Sequence, residues 1–309
     1  MIASINKIKE LLQIYDLQAK KKFGQNFLID SNVVKKIVAC ANIDKNTTVI
    51  EIGPGLGSMT ELLCESAKKV ICFEIDHDMV NILTKELDCN NLEIVEKDFL
   101  KVDLSDYIKV EERIIVVSNL PYYVTTPIVT KILEDDIVSE IYVMVQDEVA
   151  DRFVGLPGNK DYGSITVLIN YYSDAKYEFK VSRNCFYPSP NVDSAIVSMK
   201  KCKRDYSLKN ESNFLKFAQD IFSMRRKTLI NNIINKYPIK REKIEEILKE
   251  IGLDTNIRSE NLNLDKIVEL YKKLDIWYVK DVETHLSVCW QSPFQKWFER
   301  RTYFSSIFL

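Results

Sequence analysis

The stretch Ser118-Asn-Leu-Pro-Tyr-Tyr123 sets an amide side chain, a proline-stiffened turn and an aromatic ring side by side. An adenine amino group is a poor nucleophile because its lone pair is delocalised into the ring. Two acceptors that take its hydrogens push the nitrogen toward tetrahedral geometry and free that lone pair. The Asn119 side-chain oxygen and the Leu120 backbone carbonyl can be those acceptors. Pro121 fixes the backbone that aims the carbonyl, and Tyr122 offers a face on which an extruded base can stack. The same residue types in isolation also describe a β-turn with a core tyrosine.

A second stretch, Thr48-Val-Ile-Glu-Ile-Gly-Pro-Gly-Leu-Gly-Ser58, joins an apolar strand to a helix through Gly53, Gly55 and Gly57, which let the backbone turn and approach a ligand. A dinucleotide fingerprint needs glycine at its first, third and sixth positions; here the third glycine stands fifth and Ser58 sixth, which weakens a pyrophosphate reading. With the acid Glu51 ahead of it, the loop suits a ligand with amine and carboxylate ends and no phosphate, such as S-adenosylmethionine. Glu74 ends the next strand about 20 residues past the glycines, where an acid takes ribose hydroxyls. Ser58 and Glu61 read as a capping box that opens the following helix.

The elements that must carry these groups follow from periodicity. Strands at 47–52, 70–75, 92–96, 113–118 and 139–146 alternate with helices at 58–68, 78–87 and 126–134, after an amphipathic helix within 1–17 and another over 31–41. This pattern predicts an α/β fold of the Rossmann-like type, a parallel sheet with helices on both faces. Ligands bind at the carboxyl ends of such strands, which singles out Gly53, Glu74, Asp98 and Asn119. Further strand-like runs at 164–172, 176–182 and 194–199 are expected to finish the sheet. Phe186, in the proline-rich loop 186–194, serves either as the second wall of a base sandwich or as a plug in the core. From about Asp205 the period turns helical. The chain is therefore read as 1–204, a cofactor-binding domain with its N-terminal helix; 205–275, a small helical domain; and 276–309, a tail holding all three tryptophans.

Composition narrows the rest. Seven cysteines without a Cys-x-x-Cys pair and only two histidines, His77 and His285, argue against a disulfide framework, a zinc site or a histidine triad. No apolar run approaches the roughly 18 residues of a membrane span, and the N-terminus is no signal peptide, so a cytoplasmic monomer without a membrane partner is expected. The net charge of −2 hides a segregation: residues 176–245 carry 16 basic and 7 acidic side chains, whereas 40–175 carry 11 and 25. That local excess is an electrostatic footprint for phosphates, and Arg225, Arg226 and Lys227 are its densest part.

With these motifs in place the chain resembles the bacterial KsgA-type small-subunit ribosomal RNA adenine dimethyltransferases, from roughly Ile5 to Leu274. The likeness rests on Phe23-Gly-Gln-Asn-Phe-Leu28, Glu51 through Gly57, Phe73-Glu-Ile-Asp76, Lys97-Asp-Phe-Leu100, Asn119-Leu-Pro-Tyr122, Phe186-Tyr-Pro-Ser-Pro190 with Val192-Asp-Ser194, and Phe222 through Asn232. It implies S-adenosylmethionine contacts at Asn26, Leu28, Gly53, Glu74, Asp98 and Asn119, with Asn119, the Leu120 backbone, Tyr122 and Phe186 around the target base. It further implies dimethylation of two adjacent adenosines in the terminal hairpin loop of small-subunit rRNA, within a precursor of the small ribosomal subunit. Two other readings compete: a macrolide-resistance methyltransferase acting on large-subunit rRNA, and an assembly factor that works through RNA binding by its basic second domain. The Phe23 and Asn119 motifs, with Thr125-Thr-Pro127, favour the assembly enzymes over the first, and the intact glycine loop favours catalysis over the second.

Overall fold

The run Thr47–Ile52 is buried along its whole length, as a strand covered on both faces requires, and the rest of the sheet grows outward from it. The structure is a computed structural model that describes residues 2–19, 24–109, 113–202 and 204–276. In chain order come α1 (Ile5–Ile14), β1 (Phe27–Leu28), α2 (Ser31–Cys40), β2 (Thr47–Ile52), α3 (Thr60–Ser66), β3 (Lys69–Glu74), α4 (His77–Glu86), β4 (Leu92–Glu96), β5 (Arg113–Asn119), α5 (Thr125–Glu134) and β6 (Glu140–Gln146). Then follow α6 (Asp147–Phe153), α7 (Ser164–Tyr172), β7 (Ser173–Val181), β8 (Phe186–Tyr187), β9 (Ser194–Lys201), α8 (Glu211–Ile221), α9 (Leu229–Lys236), α10 (Arg241–Glu250) and α11 (Leu264–Leu274). The predicted α/β, Rossmann-like class is the one observed.

Seven strands form one sheet in the order β4-β3-β2-β5-β6-β9-β7, and a separate two-stranded sheet joins β1 to β8. The pairs β2–β3, β2–β5, β3–β4 and β5–β6 are parallel, whereas β9 runs antiparallel to β6. Side chains within reach start the helices: Ser4 accepts from the Lys7 amide of α1, Asp30 from Asn32 and Val33 of α2, and Asp76 from Asp78 of α4. Each such cap contributes about 1 kcal/mol. Buried faces of α1, α2 and α4 are made by Ile8, Leu11 and Leu12, by Val34, Ile37 and Val38, and by Met79, Ile82 and Leu83.

Two local expectations fail. Residues 164–172, read as a strand, form α7; Thr166, Val167, Leu168, Ile169 and Tyr171 are all buried, and a run that is apolar on every side lacks the period that separates a buried strand from a buried helix. The helix is favoured at its start, where the Gly163 amide donates to the Thr166 hydroxyl at 3.2 Å and that hydroxyl donates to the Arg152 carbonyl at 2.6 Å. The strand expected at 176–182 begins earlier, at Ser173. The capping box is also absent: α3 begins at Thr60, its N-cap Met59 makes no side-chain cap bond, and Glu61 accepts from the Ile2 amide instead, at 2.8 Å.

Among the described residues the chain divides into two compact units, 2–150 with 176–200 and 151–175 with 201–276. The second is helical and includes α7 as well as α8 to α11. Its interior is aromatic: Tyr171 and Phe214 lie 5.3 Å apart, Phe214 and Tyr271 5.5 Å, and Phe217 and Tyr271 5.5 Å between ring centroids. Buried Asp220 is held by the Lys216 ammonium at 3.1 Å and the Tyr237 hydroxyl at 3.0 Å. No helix among the described residues is long and apolar enough to cross a membrane. From Trp277 on, the aromatic tail lies outside the described residues, as do Lys20 to Phe23 of the basic connector.

Candidate active site

Chain order reverses between β2 and β5, and at the carboxyl ends of β2, β3, β4 and β5 the sheet opens into a cavity of about 240 Å³, room for a ligand and not merely for an ordered water. Asn26, Leu28, Gly53, Glu74, Asp98 and Asn119 all line it, together with Leu120 and Tyr122. Eight residues spread over nearly a hundred positions thus meet in one place.

The glycine loop is shaped by what lies against it. Gly53 and Gly55 have φ of +67° and +58°, and a Cβ on Gly55 would come within 3.2 Å of the Phe27 ring; a larger residue would be strained twice over. Phe27 is itself pinned by β1, where Phe27 pairs with Tyr187 and Leu28 with Phe186. That pairing brings Asn26 and Leu28 from the basic connector to the wall of the cavity.

Glu74 is 6% exposed. Its carboxylate accepts backbone amides from Ile75 at 2.8 Å, Asp76 at 2.9 Å and Gly55 at 3.2 Å, which fixes its direction. Burial pushes its pKa up, and the three amides oppose that. Such a carboxylate, already oriented and poor in water, takes neutral hydroxyl donors readily. Asp98 is oriented in the same way by the Leu100 amide at 3.1 Å.

At the other wall, the Asn119 amide nitrogen donates to the Asn26 carbonyl at 3.2 Å, which leaves Oδ1 as the acceptor for a ligand. The Leu120 amide donates to the Met144 carbonyl at 3.2 Å. The Thr125 hydroxyl and the Val124 amide both close onto the Pro121 carbonyl at 3.1 Å. The Ser118 hydroxyl donates to the Ile52 carbonyl, tying the end of β5 to the end of β2 and so registering the Asn119 turn against the glycine loop. The Tyr122 hydroxyl and buried Ser194 at the start of β9 are hydrogen-bonded at 2.8 Å.

Phe186 is 3% exposed, packs in the apolar cluster with Leu28, Val181 and Ile196, and is not among the residues that line the cavity. Pairing with Leu28 through β8 turns the side chain inward, which the proline-rich loop sequence did not reveal. Arg225, Arg226 and Lys227 lie in the helical unit, exposed in the connection between α8 and α9. Arg225 pairs with Glu260 at 3.5 Å. Buried Asn232 holds that connection by donating to the Ile221 carbonyl at 2.7 Å and accepting from the Met224 amide at 3.2 Å.

Sequence reasoning missed further lining residues. Ile75 and Tyr123, each 50% exposed, follow Glu74 and Tyr122 directly and also line the cavity; exposed apolar surface at a strand end was the available signal. Glu51, the acid that the sequence set beside the glycine loop, is 1% exposed and lines it too. Its Oε2 accepts from the Thr60 hydroxyl at 2.7 Å, and burial pushes its pKa up to about 7.

The donor set fits S-adenosylmethionine. An oriented, water-poor carboxylate suits vicinal hydroxyls, and Ile75 and Tyr123, each half exposed, suit a planar base. The glycine loop beside Glu51 admits a charged amino-acid end. Among the described residues no cluster could hold a metal ion.

Comparison with known proteins agrees. The ribosomal RNA adenine dimethylase family model matches residues 16–275. Ribosomal RNA small subunit methyltransferase A of Clostridioides difficile (strain 630) is 42% identical over 271 residues, covering 86% of this chain and 94% of that one. Its counterpart in Geobacillus thermodenitrificans is 42% identical over 284 residues, 88% and 97% of the two chains. Among solved structures, a dimethyladenosine transferase from Plasmodium falciparum superposes with a TM-score of 0.69 at 25% identity, over 81% of this chain and 97% of that one. The 23S rRNA methyltransferase ErmE gives 0.63 at 26%, over 81% and 100%. Sheet order, the cavity at the carboxyl ends of its strands and these likenesses lead to one conclusion: the chain belongs to the ribosomal RNA adenine dimethylase family and is an S-adenosylmethionine-dependent methyltransferase.

Proposed function

We propose that this enzyme dimethylates N6 of two adjacent adenosines in the terminal hairpin loop of small-subunit rRNA, acting in the cytoplasm as a monomer on a precursor of the small ribosomal subunit. The observation that carries this reading is the meeting of Asn119, Leu120 and Tyr122 with the oriented Glu74 in a single cavity. The curated small subunit methyltransferases match at 42% identity over 86% and 88% of this chain, which favours the small subunit.

S-adenosylmethionine supplies an electrophilic methyl group. The work of the chain is to hold and desolvate what the methyl must meet. Asn119 Oδ1 and the Leu120 carbonyl accept the two hydrogens of the adenine amino group, so the lone pair turns toward the methyl donor. Their bonds strengthen as the nitrogen becomes cationic, which places their contribution in the transition state. No general base is needed, since the cationic amine is acidic enough to release its proton to water. The Tyr122 ring stacks against the extruded base, and its hydroxyl bond to Ser194 anchors the far end of that ring. Asn26, Leu28, Gly53, Glu74 and Asp98 hold the cofactor, with Glu74 on the ribose hydroxyls. The helical region 205–275 binds RNA, with Arg225, Arg226 and Lys227 on phosphates.

Purified protein is incubated with labelled S-adenosylmethionine and, separately, with unmethylated small subunits, large subunits and bare rRNA, and the modified adenosines are mapped. Two adjacent dimethyladenosines on small subunits are expected. Modification confined to large-subunit rRNA would replace this reading with the resistance-type one.

A further inference from the structure

Ser194 is wholly buried at the start of β9, where a hydroxyl needs a partner to offset the water it has lost. Serine hydroxyls commonly settle on a backbone group nearby in sequence. This one is bonded instead to the Tyr122 hydroxyl at 2.8 Å, 72 residues back along the chain. The bond reaches past β6, which lies between β5 and β9 in the sheet, and so joins the loop that begins at Phe186 to the Asn119 turn.

The two ends of the Tyr122 side chain are therefore held by different parts of the fold. At the backbone end, the Thr125 hydroxyl and the Val124 amide both donate to the Pro121 carbonyl at 3.1 Å and close the turn. At the phenol end stands Ser194. The phenol oxygen lies on the axis about which the ring rotates, so this bond sets where the axis lies and leaves rotation to the ring's neighbours. The separation of ring and base follows the axis, and a gap of about 0.5–1 Å forfeits a quarter to a half of a contact's dispersion energy.

Ser194 is itself firmly mounted. It faces Gln146 in the register of β6 and β9. Beside that pair the Asp147 amide donates to the Asp193 carbonyl at 3.1 Å. The Lys180 ammonium bridges the Asp147 and Asp193 carboxylates at 2.8 and 3.1 Å, and Asp193 also accepts the Arg183 amide at 3.0 Å.

We infer that Ser194 is a positioning residue of base capture: through the Tyr122 hydroxyl it holds the ring at stacking distance from the extruded adenine, and the Asp147–Lys180–Asp193 bridge holds Ser194 in turn. The inference deepens the proposed function and rests on Tyr122 being the stacking face.

The test is a double-mutant cycle of Ser194→Ala and Tyr122→Phe, read as single-turnover methyl transfer to unmethylated small subunits with subunits and cofactor saturating. Each single variant is expected to transfer about 3–10-fold more slowly, the worth of about one hydrogen bond. The double variant is expected to be no slower than the slower single one, because both substitutions remove the same bond. Ser194→Thr, which keeps a hydroxyl, is expected to recover part of the rate, and Ser194→Ala to bind S-adenosylhomocysteine as the wild type does. Ser194→Ala leaves the Tyr122 hydroxyl without that partner and lowers stability, so rates are compared below its melting transition; a merely structural serine leaves the rate of the folded enzyme unchanged there. Tyr122→Phe reads the same bond from its other end should Ser194→Ala not fold. A wild-type rate in either single variant would overturn the inference. So would a double variant as slow as the product of the two single losses, since the two hydroxyls would then act independently. Tyr122→Ala separates the inference from the reading beneath it. A wild-type rate in that variant would remove the stacking face and the inference together, whereas a slow Tyr122→Ala beside a wild-type Ser194→Ala would remove the inference alone.

Discussion

The strand-end cavity and the connection between α8 and α9 both carry charge, and they carry it in opposite ways. In the cavity, Glu74 is 6% exposed and three backbone amides dictate its direction. In the helical unit, the Arg225 side chain is 60% exposed and its ion pair with Glu260 is long, at 3.5 Å. Low water content makes each polar group in the cavity strong and position-sensitive. Exposure leaves each arginine weak, screened by salt and nearly interchangeable with its neighbours. A small ligand needs the first kind of site, whereas a polyanion can be held by the second. What the basic connection does share with the cavity is a rigid base, supplied by buried Asn232.

Experiments can break this contrast at its strong end first. Asn119→Ala is expected to lower the rate of methyl transfer about 10²–10³-fold in single turnovers on saturated complexes, with a smaller loss of cofactor affinity. Transfer at a near wild-type rate would make the amide structural.

Next in size is a pH effect that only a buried group can have. The Glu51 pKa is raised from its ordinary 4.5 to about 7, chiefly by burial. Its folded form therefore holds a proton that the unfolded chain releases. The associated stability is fully present below about pH 4.5 and is lost as pH rises through about 7, a change of roughly 3 kcal/mol. Denaturant unfolding of the ligand-free protein and of Glu51→Gln across pH 5 to 8 isolates it as the difference between the two slopes. Parallel slopes would place Glu51 in contact with water.

Glu74→Gln keeps an acceptor and removes the charge, so S-adenosylhomocysteine affinity should fall about 10-fold, since charge-assisted bonds are about twice as strong as neutral ones. Calorimetry that finds no change would remove Glu74 from the cofactor site. Smallest per residue are the exposed charges. Each of Arg225, Arg226 and Lys227 replaced by alanine should lower the slope of log affinity against log salt by about 0.7–0.9 for binding to small subunits. If the triple variant binds with the wild-type slope, the cluster is only solvated, and the contrast between the two regions loses one side.

The sequence alone determined whatever depends on near neighbours along the chain. Alternating periods of 2 and 3.6 placed the strands from β2 to β6 and the helices between them, and a strand followed by glycines or by Asn-Leu-Pro-Tyr marked the ends where ligands bind. It also named eight residues that the cavity brings together. Tertiary structure decided what depends on partners far off in sequence. Phe186 turned into the core because β8 pairs with β1, and residues 164–172 became a helix because a uniformly buried run has no local period to read. The Ser58 hydroxyl lost its cap because the helix starts two residues later, and Glu61 was taken by Ile2. Glu51 became a proton-binding group only when β2 was covered on both faces. Burial and the choice of hydrogen-bond partner are set by packing in three dimensions, and no spacing along the chain encodes them.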